Sequence, residues 1–213
     1  RAEVNVNAAT PPQHSIDRGI YGQFLEHFGR VIHGGLWAEL LQNRKFYPSD
    51  SLEYVHVAPP WTGDPDAKDV SYSIDRSVSL DGVSSQRIIL TQQPGTWRGV
   101  RQTGFDVLGG KEYTGHARIR TDSPNQRVAF TLESASGEVV ARTEAVIESA
   151  GWHKVPFSLK PSRSLYPAVF RITFSQPGVA WIGAASLMPG DNVDGMRKDV
   201  LELTKTMAPP LVR

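Results

Sequence analysis

The chain has 213 residues, 39% of them apolar, with 23 Lys plus Arg against 22 Asp plus Glu, enough to bury a real core in one large domain or two small ones. No run of like charges follows a phosphate backbone or an anionic membrane, so neither nucleic acid nor membrane is an expected partner. The chain has no cysteine, which removes disulfides, thiolate metal sites and thiol nucleophiles together, and no window approaches the roughly eighteen apolar residues that span a bilayer.

The sequence opens on Arg1 rather than Met, as a processed chain does, and removal of a secretory signal is the expectation. Glu3 to Ala8 alternates Val4 and Val6 with Glu3, Asn5 and Asn7, the pattern of a short half-buried strand, and Thr10-Pro11-Pro12 stops it. Ile16 to Phe24 reads as a turn at Asp17-Arg18-Gly19 leading into a second strand. That strand delivers Gly22-Gln23-Phe24-Leu25-Glu26-His27-Phe28-Gly29-Arg30, and Gly34-Gly35-Leu36-Trp37-Ala38-Glu39-Leu40-Leu41-Gln42-Asn43-Arg44 follows closely. A carboxylate, aromatics, a histidine, arginines and close-approach glycines in one window have the composition of a polar pocket wall rather than of a purely structural element. Leu36, Leu40 and Leu41 have helical spacing, which predicts a short helix between Leu36 and Phe46.

From about Pro48 to Pro189 the character changes to short runs of Val, Ile, Thr and aromatics punctuated by Gly, Pro, Asp and Ser, as in an antiparallel sandwich. Candidate strands are Val70 to Leu80, Ser85 to Thr91, Gly99 to Leu108, Glu112 to Thr121, Arg127 to Glu133, Val139 to Ile147, His153 to Leu159, Ala168 to Phe174 and Ala180 to Leu187. With no helix among them, they predict a jelly roll. Beyond Pro189-Gly190, Met196, Val200, Leu203 and Met207 fall on one face of an amphipathic helix, with Asp194 as its expected N-cap. Ala208-Pro209-Pro210 ends that helix, and Leu211-Val212-Arg213 begins another strand. Strand, helix and new strand around an all-β body read as one β/α unit of a parallel sheet, whose terminal strand needs covered neighbours.

Three blocks carry a resemblance: the Glu-His-Phe-Gly-Arg window, Gly34 through Phe46, and Asp194-Gly195-Met196-Arg197-Lys198-Asp199-Val200 with the Pro209-Pro210-Leu211-Val212-Arg213 ending. Together they resemble glycoside hydrolase family 51, the α-L-arabinofuranosidases, with relatives acting on β-glucans or xylosides. Gly104-Phe105, Tyr113, Gly137, Gly151-Trp152 and Ser186-Leu187-Met188-Pro189 resemble the carbohydrate-binding-like jelly roll that some members insert between the first two barrel strands. The fold class implied is mixed α and β: the start of a (β/α)8 barrel interrupted by an inserted antiparallel β-sandwich. The corresponding domains are 1–47 for the N-terminal strand and first barrel strand, 48–190 for the insert, and 191–213 for the barrel helix and second strand.

The resemblance further implies retaining hydrolysis by two glutamates about 5 Å apart, both on later barrel strands. No catalytic residue is therefore expected in this chain, which alone is expected to be inactive, and no cofactor or metal is implied. The expected partners are an arabinose-containing polysaccharide or oligosaccharide and the remaining barrel portion, in the same chain or as a second one; the expected location is extracellular. A stand-alone carbohydrate-binding module is the rival reading.

Glu26 matches the family's first-strand glutamate, which accepts hydrogen bonds from hydroxyls of the bound arabinofuranose, a role suited to an acceptor-only carboxylate; a structural ion pair with Arg30 or a cap on a loop is the plainer reading. His27 and Arg30 are expected to pack behind it. Trp37 is a candidate sugar-stacking platform, against a core role beside two leucines. His14, His27 and His33 lack the carboxylate spacing of a metal site, while Asp64, Asp66 and Asp69 form an acidic cluster that reads as a Ca²⁺ site or a solvated turn. Trp61, Trp97, Tyr113, Trp152, Tyr166 and Trp181 are the residues a carbohydrate-binding face would recruit, with core the default for Trp152 and Trp181.

Overall fold

The computed structural model describes residues 3–4, 15–48, 56–91 and 93–213. Of the strand expected over Glu3 to Ala8, residues 5–8 lie outside them, as do the Thr10-Pro11-Pro12 stop and His14.

The body of the chain is two antiparallel five-stranded sheets packed face to face. The first has the order β1-β4-β9-β6-β7, with β1 Thr62–Gly63, β4 Arg98–Val107, β6 Gln126–Glu133, β7 Val139–Ile147 and β9 Leu165–Phe174. The second has the order β2-β3-β10-β5-β8, with β2 Val70–Asp75, β3 Ser85–Leu90, β5 Tyr113–Thr121, β8 Gly151–Leu159 and β10 Gly178–Pro189. All nine strands expected from alternation are present, and the two-residue β1 is added at a sheet edge. Alternate residues face inward, as the period of two requires: Val128, Phe130 and Leu132 of β6 meet Ala117 and Ile119 of β5 and Phe157 of β8 in one core. Phe130 and Phe157 stack at 4.1 Å between ring centroids.

Several expectations are corrected. Residues Leu36 to Phe46 are not helical but an extended, turning segment. The reason lies in β10, which shifts register between Ile182 and Ala184 and pairs with β3 only up to Ile182. The segment takes over the vacated edge: Leu40 N–H donates to Leu187 O (3.0 Å), and Ala185 N–H donates to Arg44 O (2.8 Å). Edge backbone groups seek such partners, and this outweighs the weak helical spacing of three leucines. Leu41 and Phe46 consequently join the sandwich core, where Phe46 stacks on Trp61 at 4.7 Å.

Ile16 to Phe24 is not a continuous strand either, because Arg18–Tyr21 forms a 3₁₀ turn capped by Asp17, whose Oδ1 accepts from Gly19 N–H. Only after that turn does the chain extend, at Gln23.

The amphipathic helix exists as α1, Lys198–Met207, but Arg197 occupies its N-cap, without a side-chain bond. Asp194 and Gly195 both have positive φ, and Val193 and Met196 exchange two backbone hydrogen bonds across them (2.9 and 2.8 Å). Asp-Gly is a preferred pair for so tight a hairpin turn, so the turn claims Asp194 before the helix starts. The helix buries none of its residues.

Trp152 and Trp181 leave the core for the outer face of the second sheet, half-buried. Trp181 stands between inward-facing Ala180 and Ile182, both fully buried, so the pleat turns its side chain outward.

Candidate functional site at the parallel strand pair

Two separated pieces of sequence meet beside Glu26. Gln23 pairs with Val212 in a parallel bridge: Gln23 N–H donates to Leu211 O (2.8 Å), Arg213 N–H to Gln23 O (3.0 Å) and Leu25 N–H to Arg213 O (2.7 Å). Gly22 permits this approach, since a Cβ there would lie 3.0 Å from Gly19 O and 3.3 Å from Leu211. A cleft of about 510 Å³ opens at this pair, lined by Gln23, Phe24, Glu26, Leu211 and Arg213 among others. Glu26 is exposed, and its carboxylate has no hydrogen bond or ion pair among the described residues, so the plain reading of a pair with Arg30 has no counterpart in the structure.

Trp37 lies in a different cleft, of about 780 Å³, together with Arg30, His33, Gln42, Arg44 and Phe105. It is 39% exposed, being held on a small ribbon instead of a helix: Trp37 bridges Met196, Ala38 N–H donates to Gly195 O and Arg197 N–H to Leu36 O, each at 2.8 Å. Gly35 makes the preceding turn possible, because a Cβ there would fall 2.3 Å from Val31 O. His27 and His33 contact edge to face at 4.7 Å. The structure thus brings Trp37, Arg30 and His33 to one cleft and Glu26 to another.

The residue that sequence reasoning missed is Glu39. Its carboxylate accepts from Leu187 N–H (2.9 Å), Ser186 Oγ (2.7 Å) and Leu41 N–H (3.1 Å) and pairs with Arg44 Nε at 2.9 Å. Burial pushes its pKa above the ordinary carboxylate range, opposed by these donors and by the Arg44 charge. Glu39 is therefore a clamp between the pocket segment and the sandwich. Gln102, fully inside, adds a second clamp by exchanging two bonds with the Gln42 backbone (2.7 and 2.9 Å). No sequence signal marks Gln102 for this role, since its burial and its partner follow only from the fold.

The acidic cluster resolves into ion pairs: Asp64 with Arg171 and Asp69 with Arg98 at 2.7 Å, while Asp66 sits in a positive-φ turn. Tyr72 completes this corner, donating to Gly99 O (2.8 Å) and accepting from Asp64 N–H (2.9 Å), with burial pushing its hydroxyl up to about 12. Of the aromatics, Trp61 and Tyr113 are core, Trp97 is half-buried, and Tyr166 is 67% exposed.

Comparison with known proteins bears on the identity of this arrangement. No family model matches the chain. It is 25% identical over 231 residues to alpha-L-arabinofuranosidase 2 of Arabidopsis thaliana, a match covering 99% of this chain and 33% of that protein. It is 26% identical over 204 residues to an extracellular exo-alpha-L-arabinofuranosidase of Streptomyces chartreusis, covering 93% of this chain and 24% of that protein. The chain is similar in sequence to α-L-arabinofuranosidases over nearly its whole length. Among solved structures, an arabinose-bound GH51 α-L-arabinofuranosidase superposes with a TM-score of 0.78 at 21% identity, covering 95% of this chain and 35% of that one. The likeness extends through the fold as well as the sequence, and the resemblance carried by the three motif blocks holds. The chain spans a third or less of the length of the curated relatives it matches.

Proposed function

We propose that this chain forms part of a retaining α-L-arabinofuranosidase, contributing the first two strands of a (β/α)8 barrel and the sandwich inserted between them. The observation that carries the reading is the parallel pairing of Gln23 with Val212, two strands 189 residues apart in sequence by the difference of their numbers with the whole sandwich looped out between them. Parallel neighbours joined by a helix are the unit from which such barrels are built. The uncovered apolar surface around them supports it: Phe24, Phe28, Leu203 and Met207 are all more than half exposed, an arrangement that further strands and helices would cover.

In this reading the C-terminal ends of the strands form the sugar site, and Glu26 accepts hydrogen bonds from hydroxyls of a terminal arabinofuranosyl residue. As the ring flattens toward an oxocarbenium ion, bonds that tighten favour the transition state over the ground state. The nucleophile and the acid/base are glutamates on later strands, and the substrates are arabinoxylan, arabinan or their oligosaccharides. Trp37 forms an aromatic wall of the neighbouring cleft. The Streptomyces relative is extracellular by its name, and no helix among the described residues is long and apolar enough to cross a membrane; secretion belongs to the same proposal.

The test uses 4-nitrophenyl α-L-arabinofuranoside. The purified 213-residue chain is expected to show no hydrolysis above buffer, whereas the chain joined to a complete barrel is expected to turn over. Glu26→Gln in that longer protein should lower kcat/KM roughly 10- to 100-fold, the worth of one charge-assisted bond. Enzyme-like hydrolysis by the short chain alone would falsify the placement of both catalytic glutamates elsewhere. Preference for an aryl xyloside or a β-glucan would move the substrate to a different branch of the same family.

A further inference from the structure

The outer face of the second sheet carries a pattern that the cleft chemistry does not use. Register places Arg87 of β3 opposite Trp181 of β10, Trp181 opposite Arg120 of β5, and Arg120 opposite Trp152 of β8. Cation and aromatic therefore alternate across four adjacent strands, perpendicular to the chain direction. One step along the strands, Arg118 lies opposite both Ala184 and Lys154. None of Arg87, Arg118, Arg120 and Lys154 has an ion pair among the described residues, and the Nε atoms of Arg87 and Arg120 are shielded without a hydrogen-bond partner.

The tryptophans are built as platforms. Trp181 donates its indole N–H to Asp75 Oδ2 at 2.9 Å, which fixes the ring, and the Arg120 guanidinium lies 5.8 Å from its centroid. Trp152 lies down over Gly183, where an added Cβ would come within 3.0 Å of the ring. Shallow, half-buried rings suit the C–H face of a sugar; a stacking nucleobase needs a ring standing clear of the sheet.

We propose that this face binds an acidic polysaccharide, with Arg87 and Arg120 taking uronate carboxylates and Trp181 and Trp152 taking the apolar faces of the rings. Arg87 and Arg120 are two strand spacings apart, roughly 9–10 Å, and so are Trp181 and Trp152, which matches a polymer whose charge and ring face repeat along its length. Guanidinium groups suit carboxylates because their planar fork can donate two parallel bonds. The field on this face is independently visible at His116, whose pKa is lowered by burial first and then by Lys154, Arg44 and Arg118. The site is separate from the Glu26 cleft and does not depend on hydrolysis.

Calorimetric titration of the whole 213-residue chain at about 0.15 M salt, where long-range attraction is screened, tests it with two polymers: polygalacturonate, and the same polymer with its carboxyls reduced to alcohols. Binding of the first and not the second is expected. The double variant Arg87→Gln/Arg120→Gln should weaken it at least roughly tenfold, while Arg127→Gln on the opposite sheet leaves it unchanged. Lys154→Glu reads the same loss should the double variant fail to melt like the parent. Equal binding of the reduced polymer, no binding of either, tighter binding of a single-stranded oligonucleotide, or an equal loss in Arg127→Gln overturns the proposal.

Discussion

The two outer faces of the sandwich carry similar numbers of arginines and treat most of them in opposite ways, although Arg101 of the first sheet, opposite Arg171, also has no ion pair among the described residues. On the first sheet, Arg127 and Arg142 share Glu144 at 2.6 and 2.8 Å and both lie over Trp97, at 5.7 and 4.4 Å from its centroid. Arg171 sits between Asp64 and Glu133. On the second sheet the cations of Arg87, Arg118, Arg120 and Lys154 have no carboxylate partner among the described residues. A face whose charges are mostly satisfied internally has little left to offer a ligand; a face of like charges is held together against mild repulsion, and a ligand of opposite sign removes that cost. The difference separates arginines that hold the fold from arginines available for binding.

The largest expected effect tests the first half of that contrast. Arg171→Met leaves the Asp64 and Glu133 side chains, 11% and 9% exposed, facing each other without a cation, at a cost of about 3 kcal/mol in urea unfolding. Arg120→Gln on the other face should stay within about 0.5 kcal/mol of the parent. Equal losses in the two variants would erase the distinction. Next in size, Glu144→Gln releases Arg127 and Arg142 together. These pairs are largely solvent-exposed, so the stability loss should be no more than about 1 kcal/mol; the sharper readout is a gain in polygalacturonate affinity, which makes the first face resemble the second.

This contrast was only half legible in the sequence. The nine strands announced themselves by alternation, because a half-buried strand must alternate, and α1 by its apolar spacing. Which face of each strand looks inward was less legible, and which strands are neighbours was not legible at all. Arg87, Trp181, Arg120 and Trp152 are spread over 94 residues, from β3 to β10, by the difference of their numbers, and only the register aligns them. The default assignment of Trp152 and Trp181 to the core failed because their size suits an inward position while the small or branched neighbours, such as Ala180 and Ile182, take it instead. The Leu36 to Phe46 helix failed because a vacant edge on β10 decides the conformation there, and no local signal reports it. Glu26 and its parallel strand were readable only through the motif blocks. Glu39, inside one of those blocks, was passed over because a clamp has no pattern apart from the partners it holds.

Two smaller effects follow pH. At Asp75, burial pushes the carboxyl up, but hydrogen bonds from Ser77, Trp181 and the Val78 backbone overcome it and bring it down to about 2. A carboxyl depressed in the folded state adds stability above its unfolded range, near 3.8, and loses it as pH falls toward 2. Trp181→Phe removes one of those bonds, so the variant should be less stable than the parent at neutral pH, with the gap closing below about pH 2. A gap that persists unchanged in acid would mean that Trp181 stabilises the sheet by packing alone.

His116 gives the smallest and most diagnostic signal of the cationic face. Its lowered pKa disfavours the imidazolium in the folded protein, so its contribution to stability is full above the unfolded value near 6.5 and declines as pH falls through the folded one. Burial is the leading cause and is untouched by changes at exposed Lys154; the charges of Lys154, Arg44 and Arg118 come after it. Lys154→Glu should therefore raise the His116 pKa only part of the way back, as read from its imidazole C–H resonance in an NMR titration. Added salt should raise it in the parent more than in the variant, because the variant has less repulsion to screen. An unmoved resonance in both experiments would mean that burial alone sets the value. The unpaired cations of the second sheet would then be too well hydrated to act on a neighbour, and equally unable to hold a carboxylate in place.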